Sequence, residues 1–265
     1  MHIFEVVVPG VWLDYEDQEW VENVEPLLRM MESQFIDANL ALNLFENSER
    51  EYLRRPSRED RDLQWKRRFE IRQAVEAEQI GAANYDAQAV ALESEVRFKR
   101  ERWAAGQQPR EFQHHTSLLY ARAFLYALDG FDKALKVLAK TPDVPMDAAE
   151  QFKRMGEKFP CLRGVRNTAQ HLEDRIRGLG EPAGRGKPCP PLDLQPMENE
   201  IAHAPAGGVL FTNCLSGSNY GSTMADGHYG QVDVSPVSME ALSEILHAVL
   251  NAFAWTGPKR HLPSA

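Results

Sequence analysis

Cysteine is scarce, long apolar runs are missing, and positive charge is in deficit. Three cysteines, Cys161, Cys189 and Cys214, occur among 265 residues. They are odd in number and share no CxxC spacing, which excludes a disulfide framework and the common zinc patterns and fits a reducing cytoplasm. The most apolar stretch, 118–128, is interrupted by Arg122 and falls well short of the ~20 residues a membrane helix needs. With 30 Lys and Arg against 39 Asp and Glu, the net charge is −9. Non-specific binding of nucleic acid by the whole surface is therefore not expected. Met-His-Ile-Phe-Glu at the amino end lacks the basic start, apolar core and small-residue cleavage site of a secretory leader, so a cytoplasmic chain is expected.

What is present suits a folded, water-soluble protein of one or two domains: 43% of residues are hydrophobic and 26% charged. The charge is unevenly spread. Residues 1–50 hold eleven acids against two bases, whereas 151–190 hold nine bases against four acids, a local excess of positive charge.

The hydrophobic pattern predicts a mainly α fold. Trp20, Val24, Leu27, Met31 and Phe35 recur at three- and four-residue steps on a helix running to about Tyr52, with Pro26 in its first turn. Ser57–Gln79 reads as a solvated helix anchored by Trp65 and Phe69. Asn84 is placed to cap a third helix, whose Ala89, Leu92, Val96 and Trp103 share a face. After Gly106 and Pro109, the stretch from Phe112 to Lys140 is the most apolar and is expected at the centre of the core. Asp147 is expected to cap a helix that is interrupted at Gly156 and restarts at Pro160, with Leu162, Val165, Ala169, Leu172 and Ile176 on one stripe up to Gly178. A Pro- and Gly-rich loop spans 179–208. A small antiparallel hairpin over 209–234 turns at Asp226-Gly227, and a last helix begins at Ser235-Pro236 and carries Val237, Leu242, Ile245, Leu246, Val249 and Phe253. The expected divisions are 1–105 for the N-terminal helices, separate or part of the same bundle, 106–255 for a helical bundle, and 256–265 for a tail.

Arg166-Asn167-Thr168-Ala169-Gln170-His171 carries most of the chemical information. At ~100° per residue, His171 lies roughly 130° from the apolar stripe, and Asn167 and Asp174 lie almost opposite it. His171 is thus expected outside the core. Asn167 is its neighbour one turn earlier, and Asp174, three residues on, sits close enough to favour imidazolium. Arg166 and His171 are about 140° apart, so they meet only on a ligand held across the helix or brought by a second subunit.

Arg166, Asn167 and His171 resemble the HEPN superfamily, many of whose members carry an Arg-x4–6-His motif, often with Asn or Asp after the Arg. The resemblance covers about Phe112 to Arg177 and the final helix. It implies a four- or five-helix up-and-down bundle, a homodimer that brings two motifs together, and in many members metal-independent cleavage of RNA. Glu173 stands where the toxins of HEPN–nucleotidyltransferase pairs have an AMP-accepting tyrosine, so that regulation is not implied. The N-terminal helices and the hairpin lie outside the minimal domain.

RNA contains its own nucleophile, so cleavage needs a base near neutral pKa for the 2′-hydroxyl and a fixed cation for the phosphate; histidine and arginine suit those tasks. His171 is accordingly expected to act as general acid or base, with Arg166 on the phosphate and Asn167 as orienting residue. Arg163, Gln170, Asp174 and Arg175 are the substrate-binding neighbours, and no metal or cofactor is expected. The alternative is a non-catalytic HEPN-like module, a defence or stress component that uses the same face or the Pro-rich loop for a ligand or protein partner. Other constellations are weaker. His114 and His115 are adjacent and lack HExxH spacing, while Gly184-Arg185-Gly186-Lys187 departs from the phosphate-loop pattern at Glu181 and Pro188. Asp226 and Asp233 are explained by a turn and a solvent-facing strand, and Cys161 has no assigned histidine partner.

Overall fold

The computed structural model describes residues 1–54, 56–79, 85–182 and 184–264. These form a mainly helical chain with small antiparallel sheets. Two compact units result, one from residues 1–46 and 118–265, the other from 47–117. The divisions therefore fall inside two long helices rather than at residues 105 and 255.

In the larger unit, β1 (Val6–Val8) and β2 (Trp12–Leu13) precede α1 (Gln18–Leu53). Asp17 caps α1 by accepting from the Glu19 and Trp20 amides at 3.0 and 3.2 Å. Because this cap lies so early, Pro26 stands inside the helix and not in its first turn. Val24, Leu28, Met31, Phe35, Ala38, Leu42 and Phe45 alternate steps of four and three and are buried; Leu28 takes the place expected for Leu27. The smaller unit contributes α2 (Arg58–Glu78) and α3 (Ala87–Ala104), and α4 (Arg110–Leu138) returns the chain to the larger one. On α4, Ala121, Phe124, Leu125, Leu128, Phe131, Leu135 and Leu138 are buried at the centre of the core, whereas Leu119 is exposed.

Next comes α5 (Met146–Lys158), with Pro145 in the cap position; Asp147 lies inside its first turn, and the helix runs through Gly156. The single helix expected from Pro160 to Ile176 is instead two, α6 (Leu162–Gln170) and α7 (Leu172–Ile176), divided at His171. The 179–208 loop contains a short ribbon, β3 (Met197–Glu198) with β4 (His203–Ala204). The hairpin is a three-stranded meander of β5 (Cys214–Ser216), β6 (Asn219–Thr223) and β7 (Tyr229–Asp233), with Tyr220 opposite Val232. Asp226-Gly227 makes its second turn, Gly227 taking φ 84°, a conformation open to glycine without strain. Asp233 is not simply solvent-facing, since its carboxylate accepts from the Ser218 and Ser235 hydroxyls.

Ser235 and Pro236 start α8 (Pro236–Asn251), whose Met239, Leu242, Ile245, Leu246, Val249 and Leu250 are buried. Val237, expected in the core, is exposed. The tail is not peripheral: β8 (Trp255–Thr256) pairs with β2, and β9 (Arg260–Leu262) pairs with β1. No described helix is long and apolar enough to cross a membrane.

In the smaller unit, Ser57 and Asp60 form a capping box on α2, and Asp86 caps α3. Asn84, the expected cap, lies outside the described residues. The buried apolar residues are Ile71, Val75, Val90 and Phe98. Trp65 and Phe69 are exposed instead and stack on each other at 5.9 Å. Leu92 and Trp103 are likewise exposed on α3. The helix pair buries the face defined by the β-branched residues and Phe98, and bidentate Arg67–Glu101 and Arg97–Glu78 pairs flank it.

Candidate functional site

Residues 162–176 are held against the sheet by their apolar side. Leu162, Val165 and Thr168 are buried at three-residue steps, and the Thr168 hydroxyl donates to the Thr223 carbonyl at 3.0 Å. Gly164 lets Met224 come against the helix, since a Cβ there would run into the Met224 side chain. This docking turns Arg163, Arg166 and Gln170 away from the sheet.

Two acids of α4, three residues apart, meet them. The Arg166 Nε donates to Asp129 Oδ1 at 2.8 Å and its Nη1 to Gln170 Oε1 at 2.8 Å. Asp129 also accepts Lys133 at 2.7 Å, so one buried carboxylate holds two cations. Arg163 binds Asp132 through Nε at 3.0 Å and Nη2 at 3.4 Å, and its guanidinium lies 5.2 Å above the Phe152 ring. The Arg166 side chain is 17% exposed and that of Arg163 52%. Beside Arg163 opens a cavity of about 400 Å³ lined by Asp132, Phe152, Met155 and Phe159 among others.

His171 ends α6. Its amide donates to the Asn167 carbonyl at 2.9 Å, while its own carbonyl accepts from the Asp174 and Arg175 amides that open α7. With φ −119° and ψ 43°, it leaves the helical conformation, and its side chain is 60% exposed. The expected outward position holds. No hydrogen bond or ion pair joins it to Arg166 among the described residues.

Ile176, in phase with the buried Val165, is nevertheless exposed, while Arg175, seven residues after the buried Thr168, is buried. Arg175 donates to the Leu179 carbonyl and is not a surface cation for a substrate. Asp174 is engaged by Arg177 at 2.5 Å, with the Cys189 thiol 3.9 Å away. The carboxylate nearest His171 Nδ1 is that of Glu173, at 3.9 Å. Donor atoms of His171, Glu173 and Asp174 lie within 4.8 Å of one another, an exposed cluster of a kind that is common without an ion.

Arg166, Asn167, Gln170 and His171 thus occupy one end of α6, with Arg163 one turn earlier, while Arg175 is withdrawn. Sequence reasoning missed Asp129, Lys133 and Asp132. Their signal is two acids at i and i+3 in the most apolar helix, since a buried carboxylate calls for a cation from another element. No protein-family model matches the chain, and no curated protein or solved structure matches it.

Proposed function

We propose that the chain is a metal-independent endoribonuclease of the HEPN type, whose site is completed in a homodimer. The observation that carries the reading is the end of α6, where an exposed imidazole stands one turn beyond Asn167 and a guanidinium fixed by a buried carboxylate. Asp129 carries one negative charge against Arg166 and Lys133, so this cluster keeps a net positive charge for phosphate. The mainly helical larger unit is compatible with an up-and-down bundle of that family.

In the proposed step, His171 takes the proton of a 2′-hydroxyl while the 2′-oxygen attacks the adjacent phosphorus. The P–O5′ bond breaks, the 5′-oxygen takes a proton from solvent, and a 2′,3′-cyclic phosphate is left. Arg166 uses the donors not spent on Asp129 and Gln170 to meet the phosphoryl charge, and Asn167 orients it. The test is incubation of purified protein with RNA in EDTA. Cleavage is expected for the wild type and is lost in His171→Ala and Arg166→Ala; equal activity in those variants overturns the assignment.

A second reading, a non-catalytic HEPN-like ligand or interaction module, is favoured by one observation. Arg166 already spends Nε and Nη1 on Asp129 and Gln170, as a purely structural arginine does. Absence of cleavage by the wild-type dimer selects this reading.

A further inference from the structure

We infer that the smaller unit binds single-stranded RNA in the cleft walled by α2, α3, the last turn of α1 and the first turn of α4. The inference rests on RNA being the ligand class proposed above. Fourteen of the chain's thirty Lys and Arg fall within residues 47–117 against thirteen acids, a net +1, while the other unit carries −10. Of the two units, this is the one whose net charge does not repel a polyanion.

The cleft measures about 1220 Å³, beyond the ~300–1,000 Å³ typical of pockets that enclose a small molecule. Its occupant is therefore extended. Five cations line it, Arg54 and Arg110 among them, against four carboxylates. Glu95 is shared by Arg68 at 3.8 Å and Lys99 at 3.5 Å. Arg102 donates to the uncharged Gln107, and Arg110 has no ion pair among the described residues. Ring faces accompany the charge: Arg68 and Arg102 lie over Phe98 at 4.6 and 5.6 Å, and Tyr52 and Trp103 at the cleft are exposed. Amides of Gln64 and Gln113 supply donors and acceptors for base edges. Guanidinium groups that track phosphates, with aromatic faces for unstacked bases, are the means by which single strands are held without sequence preference. A duplex offers no free base faces to Tyr52 and Trp103.

The experiment is fluorescence anisotropy with the full chain and a labelled 2′-O-methyl single strand, which has no 2′-hydroxyl to attack, alongside the duplex of the same sequence. Single-strand binding is expected to be tighter than duplex binding and to weaken steeply with salt. Arg54→Glu combined with Arg110→Glu should raise Kd at least about tenfold and flatten the log–log salt slope by about 1.4, since each cation lost from a single-strand contact removes ~0.7. Trp103→Ala should weaken binding at least about fivefold through lost stacking. Arg54, just after the end of α1, and Arg110 are both exposed, and Arg110 stands in a helix first turn, where glutamate is favourable; circular dichroism checks that the double variant folds. No binding at low salt, equal affinity for duplex and single strand, or wild-type affinity in these variants overturns the inference. Binding without cleavage removes the nuclease reading alone, and His171-dependent cleavage indifferent to Arg54, Trp103 and Arg110 removes this inference alone.

Discussion

Removing Arg163 should destabilise the protein more than removing Arg166, although Arg166 is the more buried of the two. The reason lies in what each leaves behind. Asp132 is buried, and Arg163 is the partner the structure gives its carboxylate; Arg163→Ala strands a charge in the core. Breaking a fully buried pair costs about 3–5 kcal/mol. Arg163 is half exposed and a cavity beside Asp132 admits solvent, which lowers the expectation to about 2 kcal/mol. Asp129 keeps Lys133 at 2.7 Å when Arg166 is removed, so Arg166→Ala should cost about 1 kcal/mol, mostly lost packing and the two hydrogen bonds to Asp129 and Gln170. Adding Asp132→Asn to Arg163→Ala should recover part of the loss, because a neutral amide needs no counter-ion. Urea unfolding followed by fluorescence and circular dichroism measures all four proteins. A larger loss for Arg166→Ala, or no recovery with Asp132→Asn, refutes the reasoning.

Gly227→Ala should lower stability by about 2 kcal/mol or more, since Gly227 has φ 84° and a Cβ would run into the Asp193 carbonyl oxygen; a thermal melt reads it. Ile71→Ala should cost about 2 kcal/mol or more, whereas Trp65→Ala should stay within about 0.5 kcal/mol because its side chain lies outside the helix-pair core. Equal losses would reinstate Trp65 as an anchor. The Tyr220 phenol is pushed up to about 12, chiefly by burial. Its contribution to stability is complete below pH ~10 and is lost as pH rises through about 12. Burial pushes the Tyr229 phenol up to about 12 as well, so an ultraviolet titration should show a late-ionising class of these two tyrosines that loses about half its amplitude in Tyr220→Phe; an unchanged curve counts against it.

Long helices are legible in the sequence because their periods run for many turns: α2 and α4 begin and end close to the expected residues and α8 starts at its Ser235-Pro236 cap, whereas α1 ends near Tyr52 but starts well before the turn that Pro26 suggested. Which face is buried is legible only where the apolar residues outnumber the alternatives. On α2 and α3 aromatic residues occupy the exposed side, so the pattern points the wrong way. Strands of two or three residues such as β1, β2, β8 and β9 have no period to read, and their pairing joins opposite ends of the chain. At the site, the outward position of His171 follows from helix geometry alone. The kink at His171 does not, because no glycine or proline marks it. Nor do the Asp129 and Asp132 anchors, which depend on tertiary packing between α4 and α6.

The central claim, that the end of α6 directs a ribose hydroxyl at phosphate, is tested most directly by product chemistry. An RNA strand and its all-deoxy counterpart are incubated with wild-type and His171→Ala protein in EDTA, and the product ends are determined by mass spectrometry. The account predicts 2′,3′-cyclic phosphate and 5′-hydroxyl ends from RNA with the wild type, and no product from DNA or from the variant. Cleavage of the deoxy strand, or undiminished cyclic-phosphate formation by His171→Ala, would contradict it.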